Sequence, residues 1–127
     1  MSSATLVIAA LTVLSADDQD GIKFFKDRIR PILRERCYSC HSEAAEQLES
    51  GLYLDSREGV RKGGDQGPAI EPGDPKKSLL LQAVRYEMDD LKMPPDRKLS
   101  AKEIADLEKW IKMGAPDPRD KPDSKPR

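Results

Sequence analysis

Both cysteines and the single histidine of this 127-residue chain fall within one pentapeptide, Cys37-Tyr38-Ser39-Cys40-His41. Two cysteines separated by two residues at the end of a helix can each add to one vinyl group on the same edge of a haem. A histidine directly after the second cysteine then lies under the iron. The pattern therefore reads as a covalent haem attachment site, with Cys37 and Cys40 as thioether anchors and His41 as the proximal iron ligand. Other chemistries fit less well. A structural zinc ion wants four ligands, and this cluster offers three. A thioredoxin-type pair belongs beside a βαβ pattern, and the chain shows no convincing strand. A plain Cys37–Cys40 disulfide uses the thiols but leaves His41 without a purpose.

Haem iron has a second axial position. With one histidine in the chain, two-histidine ligation within the chain is excluded. Methionine is the alternative soft ligand, and paired with histidine it raises the reduction potential, as in electron carriers. Of the four methionines, Met1 begins an apolar leader and Met113 falls in the last turn of a predicted helix. Met93 stands in Leu91-Lys92-Met93-Pro94-Pro95, where Pro94 drives its backbone toward an extended form and the paired prolines stiffen the loop. Met93 is the expected distal ligand. Met88 and an open or water-bound site are the alternatives, and gap filling in a core is the ordinary use of methionine.

Helices must position these groups. Over 20–36, Ile22, Phe25, Ile29, Ile32 and Leu33 recur at three- and four-residue steps, which makes one apolar face. Asp18 or Asp20 is the expected cap, and Pro31 predicts a kink or a break into two helices. The pentapeptide follows directly. Residues 42–76 are dense in Gly and Pro and read as a long irregular excursion, with a short helix near Asp55–Arg61 capped by Asp55 or Ser56. A helix is predicted over 75–87, with Leu80, Ala83, Val84 and Leu81 turned inward. The last helix opens with a capping box, Ser100 and Glu103, carries Ile104, Leu107, Trp110 and Ile111, and stops at Gly114. The fold class is all-α.

Composition sets further limits. The chain carries 22 basic and 23 acidic residues, a balance that argues against nucleic acid as a partner. Aromatic residues are few, so the apolar core should be thin and a bound cofactor would supplement it. Residues 4–14 form an uncharged apolar run ending at Ser15-Ala16, too short to span a bilayer but suited to the core of a signal peptide. Residues 1–16 are therefore expected to be a signal peptide, with export to the periplasm or an equivalent compartment and no stable membrane span after processing. A buried N-terminal helix or short anchor is the alternative. Residues 20–116 form the expected domain. The tail, 117–127, alternates proline with charge, offers almost nothing to bury, and is expected to be disordered.

The order of these pieces resembles the planctomycete-type cytochrome c domain. The resemblance rests on Ile29-Arg30-Pro31-Ile32-Leu33 before the Cys/His pentapeptide, then Gly51 to Glu58, Lys62 to Leu80, Met93-Pro94-Pro95 and Leu99 to Pro116, and covers about residues 22–116. It implies a compact helical domain wrapped around one covalently bound haem c, held by Cys37, Cys40 and His41, with Met93 as the matching distal candidate. It also implies export and redox partner proteins. In that family the domain commonly fronts a much larger exported protein, so a catalytic portion is expected to be missing or separate. Arg57 and Arg61 lie in the matching middle segment and are candidates to pair with haem propionates.

The expected function is single-electron transfer without a catalytic acid or base, hence not an enzyme. A haem protein with an open distal site, of peroxidase or sensor type, is the first alternative. A disulfide-stapled interaction domain without redox chemistry is the second.

Overall fold

The computed structural model describes residues 2–8 and 16–123. The apolar leader lies mostly outside the described residues. Where it is described, Leu6, Val7 and Ile8 are exposed and carry no secondary structure.

The first helical stretch has three parts. Helix α1 spans Ala16–Phe24, a π-helical turn spans Phe25–Ile29, and α2 spans Arg30–Arg36. Asp18 and Asp20 lie inside α1 and do not cap it, because the helix starts at Ala16; acidic residues near a helix start also suit its dipole. The break expected at Pro31 takes the form of the wide turn that precedes it. Pro31 has no N–H to give to the carbonyl four residues back, and its ring crowds that carbonyl. The Arg30 N–H instead reaches back five residues to the Phe25 carbonyl, so the ladder widens before the proline. Phe25, Ile29, Ile32 and Leu33 are buried as expected, while Ile22 is only half-buried.

Helix α3 spans Arg57–Lys62, with the Ser56 hydroxyl accepting from the Gly59 N–H. The helix predicted over 75–87 is shorter. A 3-10 turn, Pro75–Lys77, precedes α4, Leu79–Val84, and Ser78 separates them. The reason is local. The Asp74 carboxylate accepts from the Lys76 and Lys77 N–H groups. The fully buried Ser78 hydroxyl is engaged with the backbone of Asp74 and Glu71, which fixes a bend. Leu80, Leu81, Ala83 and Val84 all face inward.

Helix α5 spans Ala101–Lys112 and opens with the full capping box of Ser100 and Glu103. It packs on the π turn, where the Trp110 and Phe25 rings stand 5.7 Å apart and tilted at 45°. The Trp110 indole N–H donates to the Pro116 carbonyl at 2.8 Å, so the turn after α5 folds back over the helix pair. Pro116 also presses on α1. A Cβ at Gly21 would come within 2.7 Å of the Pro116 ring, so only glycine permits this approach. No strand occurs among the described residues, which contain two isolated bridges, Gly64 with Gly67 and Met88 with Leu91. The architecture is helical throughout.

In the tail, Asp117 and Arg119 are buried and Asp123 is half-buried, while residues 120–122 are exposed. Hydrophobicity gave no sign of this, because the burial there is of charges that satisfy one another. Residues 124–127 lie outside the described residues.

Candidate functional site

The pentapeptide forms a tight turn off the end of α2. The Cys37 N–H continues the helix ladder to Leu33, and the Cys40 and His41 N–H groups both donate to the Cys37 carbonyl, at 3.2 and 3.0 Å. This i→i+3 and i→i+4 closure brings Cys37, Cys40 and His41 to one cavity of about 510 Å³. That size lies within the ~300–1,000 Å³ of small-molecule and cofactor sites.

Three other segments complete the walls. Leu79, Leu80, Ala83 and Val84 of α4 supply an apolar side, and the excursion contributes Leu52, Leu54, Ala69 and the Gly64–Gly67 turn. The fourth wall is the loop holding Leu91, Met93 and Pro94. Met93 thus lines the same cavity as the Cys/His turn. Met88 and Met113 do not line it, and Met113 is exposed against the α1 side of the molecule. The Met93–Pro94 peptide bond is cis. The loop is tied down by the Met93 N–H donating to the Ala83 carbonyl at 3.1 Å and by the Tyr86 hydroxyl donating to the Pro94 carbonyl.

The cysteines are not joined to one another. Burial pushes the Cys37 thiol up to about 12, with the nearby Glu103 carboxylate acting in the same direction against Arg36. It is therefore a protonated, apolar sulfur at neutral pH. His41 is buried at 7 % exposure. Burial lowers its pKa below the ordinary value, while the Leu52 and Glu49 carbonyls pull the other way. The imidazole is thus neutral at pH 7, the form in which it binds metal. Its Nδ1 is buried with no hydrogen-bond partner. An unpaired buried polar atom is costly and calls for an explanation. An apolar cavity edged by two thiols and a neutral imidazole, with a thioether on another wall, fits a haem in size and in donor chemistry.

Arg57 and Arg61 are not part of this site. They line a separate cleft of about 440 Å³ with Glu58, Lys62, Arg119 and Asp120. Arg57 donates from its guanidinium to the Asp117 carbonyl at 3.0 Å. Their place in the middle segment that carries the resemblance suggested propionate pairing, but both arginines line this cleft beside the tail residues Arg119 and Asp120.

Residues 37–97 match the family model of planctomycete cytochrome C. The match begins at the first cysteine of the turn and extends just past the Met-Pro-Pro loop, so it takes in all the cavity walls described above. Helices α1, α2 and α5 lie outside it. No curated protein and no solved structure matches the chain. Over this segment the resemblance read from the motifs holds, and a cytochrome c domain of this kind implies haem c at the Cys37/Cys40 pair.

Proposed function

We propose that the protein is a c-type cytochrome that passes single electrons between partner proteins, with one haem c joined by thioethers to Cys37 and Cys40. In this reading His41 is the proximal ligand and Met93 the distal one. The observation that carries it is the meeting of the Cys/His turn and Met93 on one apolar cavity, where the His41 imidazole is neutral and its Nδ1 lacks a partner.

Bound haem would supply a reversible one-electron couple at its exposed edge. The chain's residues then have distinct tasks. Cys37 and Cys40 fix the ring's position against the end of α2. Leu80, Val84 and Leu54 line the cavity and would exclude water from a bound haem, which would favour its less charged, reduced form. The ties from Met93 to Ala83 and from Tyr86 to Pro94 hold the thioether in place at small entropic cost. Haem of this kind is attached outside the cytoplasm, so the reading includes export, with the leader at 1–16 as its signal and 20–116 as the haem-wrapping domain. No helix among the described residues is long and apolar enough to cross a membrane.

The test is an absorbance spectrum of the protein recovered from an exporting host able to attach haem. A low-spin reduced spectrum with the long-wavelength methionine–iron band is the expected result. A high-spin spectrum that shifts with carbon monoxide would replace Met93 by an open distal site. A colourless protein with a Cys37–Cys40 disulfide would overturn the cytochrome reading altogether.

A further inference from the structure

The packed tail makes its most concentrated contacts at the attachment turn. Arg119 is buried at 8 % exposure and spends its guanidinium in four directions. Its Nε and Nη2 donate to the Asp117 carboxylate at 2.9 and 2.7 Å. Its Nη1 donates to the Tyr38 hydroxyl and to the Leu54 carbonyl, both at 2.8 Å. Its plane lies over the Phe25 ring, 4.8 Å from the centroid. The Asp123 carboxylate then accepts from the same Tyr38 hydroxyl at 3.0 Å and from Arg30 and Arg34 of α2.

Two of these contacts lead to the backbone around His41. Tyr38 lies inside the turn between the two cysteines, and its carbonyl accepts from the Ser42 hydroxyl directly after His41. Leu54, whose carbonyl Arg119 holds, donates its own N–H to the His41 carbonyl at 2.8 Å. One buried cation thus holds a side chain inside the turn and the carbonyl of the residue whose N–H binds the His41 backbone. Arginine is suited to this because its planar fork fixes several acceptors at once.

We infer that residues 117–123 form a strap that sets the geometry of the haem-attachment turn, with Arg119 as a positioning residue acting through Tyr38 and Leu54. The inference rests on the cytochrome reading above. It explains why a segment of prolines and charges is packed. Asp117, Arg119 and Asp123 each meet an opposite charge, Arg119 and Asp123 also meet the Tyr38 hydroxyl, and the prolines between them stop the segment from coiling into a helix. Residues that hold a metal ligand from outside typically change the site's behaviour ~10-fold when lost.

The experiment uses the full chain, matured with haem. Tyr38→Phe removes one hydroxyl and leaves the ring, and Arg119→Lys keeps the charge but loses the fork. Both should shift the ferric low-spin electron paramagnetic resonance signal, which reports axial-ligand orientation, and Arg119→Lys should lower the haem-to-protein ratio about tenfold. The double variant should shift the signal by less than the two single shifts summed, since both substitutions lose the hydrogen bond between Arg119 and Tyr38. Ser100→Ala, which weakens the remote cap of α5, is the control for a general loss of stability and should leave the signal unchanged. The strap role is overturned if the wild type carries haem and Tyr38→Phe leaves the signal as it was, or if Ser100→Ala alters it equally. A wild type without covalent haem overturns the underlying cytochrome reading, and the strap role with it. If Arg119→Lys does not fold, the Tyr38→Phe comparison decides.

Discussion

The Met93 N–H donates to the Ala83 carbonyl at 3.1 Å, which binds the Met-Pro-Pro loop to the inner end of α4. Ala83 and Met93 both line the cavity. The Met93 side chain is therefore indexed to the same helix that walls the cavity.

The first prediction follows from this placement. Met93→Ala should abolish the long-wavelength methionine–iron band, lower the reduction potential and open the iron to added imidazole, while the haem stays attached. Met88→Ala should leave the band intact, because Met88 is engaged in a local bridge with Leu91 and lies off the cavity wall. Spectra of the two single variants decide the matter. Survival of the band in Met93→Ala would remove Met93 from the iron.

Tyr86 gives a second prediction. Its hydroxyl donates to the Pro94 carbonyl, and the Lys92 and Lys98 ammonium groups flank its ring at 5.9 and 5.6 Å. Tyr86→Phe keeps the ring and loses the hydrogen bond, at a cost of about 1 kcal/mol. Because that cost falls on the loop carrying Met93, imidazole should displace the methionine about fivefold more readily, while the global melting temperature changes little. A stopped-flow imidazole titration measures this. An unchanged displacement constant would mean that the loop is held without Tyr86.

The sequence disclosed the turn and most of the helices, for reasons that differ. Cys37, Cys40 and His41 fall in one short run, so their relation is local and needs no fold to be seen. Phe25, Ile29 and Leu33, and likewise Leu107, Trp110 and Ile111, announce their faces by period alone. What stayed hidden depends on pairings remote along the chain. Arg119 meets Tyr38 across 81 positions and Asp123 meets Tyr38 across 85. A hydropathy reading sees only charge in 117–123, although charges that neutralise one another can be buried. The cleft that Arg57 and Arg61 line was hidden for a related reason. A six-residue helix carries too little pattern to fix the direction in which it leaves its cap.

Gly63 gives a third prediction. It has φ +77°, and a Cβ there would sit far inside contact with the Gly67 carbonyl. The turn it opens, Gly64 to Gly67, forms part of the cavity wall. Gly63→Ala combines a left-handed backbone cost with overpacking, together about 3 kcal/mol. The midpoint of urea unfolding should fall accordingly and haem incorporation should drop with it. Gly67→Ala is the comparison, since φ is +98° there but a Cβ meets nothing within 4 Å. It should cost only the backbone term. Equal losses in the two variants would show that contact with the Gly67 carbonyl does not matter.

Cys37 gives a fourth. Burial raises its thiol to about 12 from an ordinary value of 9.0, which lowers the thiolate fraction at pH 8 by orders of magnitude. In the reduced, haem-free chain, iodoacetamide should modify Cys37 far more slowly under native conditions than in denaturant. Peptide mass mapping of time points reads the rate at Cys37 directly. Comparable rates in the two conditions would place that sulfur in water.

The last prediction concerns acid. Burial pushes the Asp123 carboxyl up, but hydrogen bonds from Arg30, Arg34 and Tyr38 outweigh it and hold the group well below the usual carboxylate range. A carboxyl whose folded pKa is depressed releases its proton more readily in the native state, so the unfolded chain binds more protons at low pH. The stability that Asp123 contributes is therefore complete above its unfolded value, ~3.9. It is lost progressively as pH falls below that value toward the folded pKa. Asp123→Asn should lower stability at pH 7 by about 1 kcal/mol, a modest figure because Arg30 and Arg34 are part-exposed. The gap between variant and wild type should narrow steadily below about pH 4. Denaturant melts at pH 7, 5, 4 and 3 measure that convergence. A gap that stays constant from pH 7 to pH 3 would mean that Asp123 acts through packing and not through its charge.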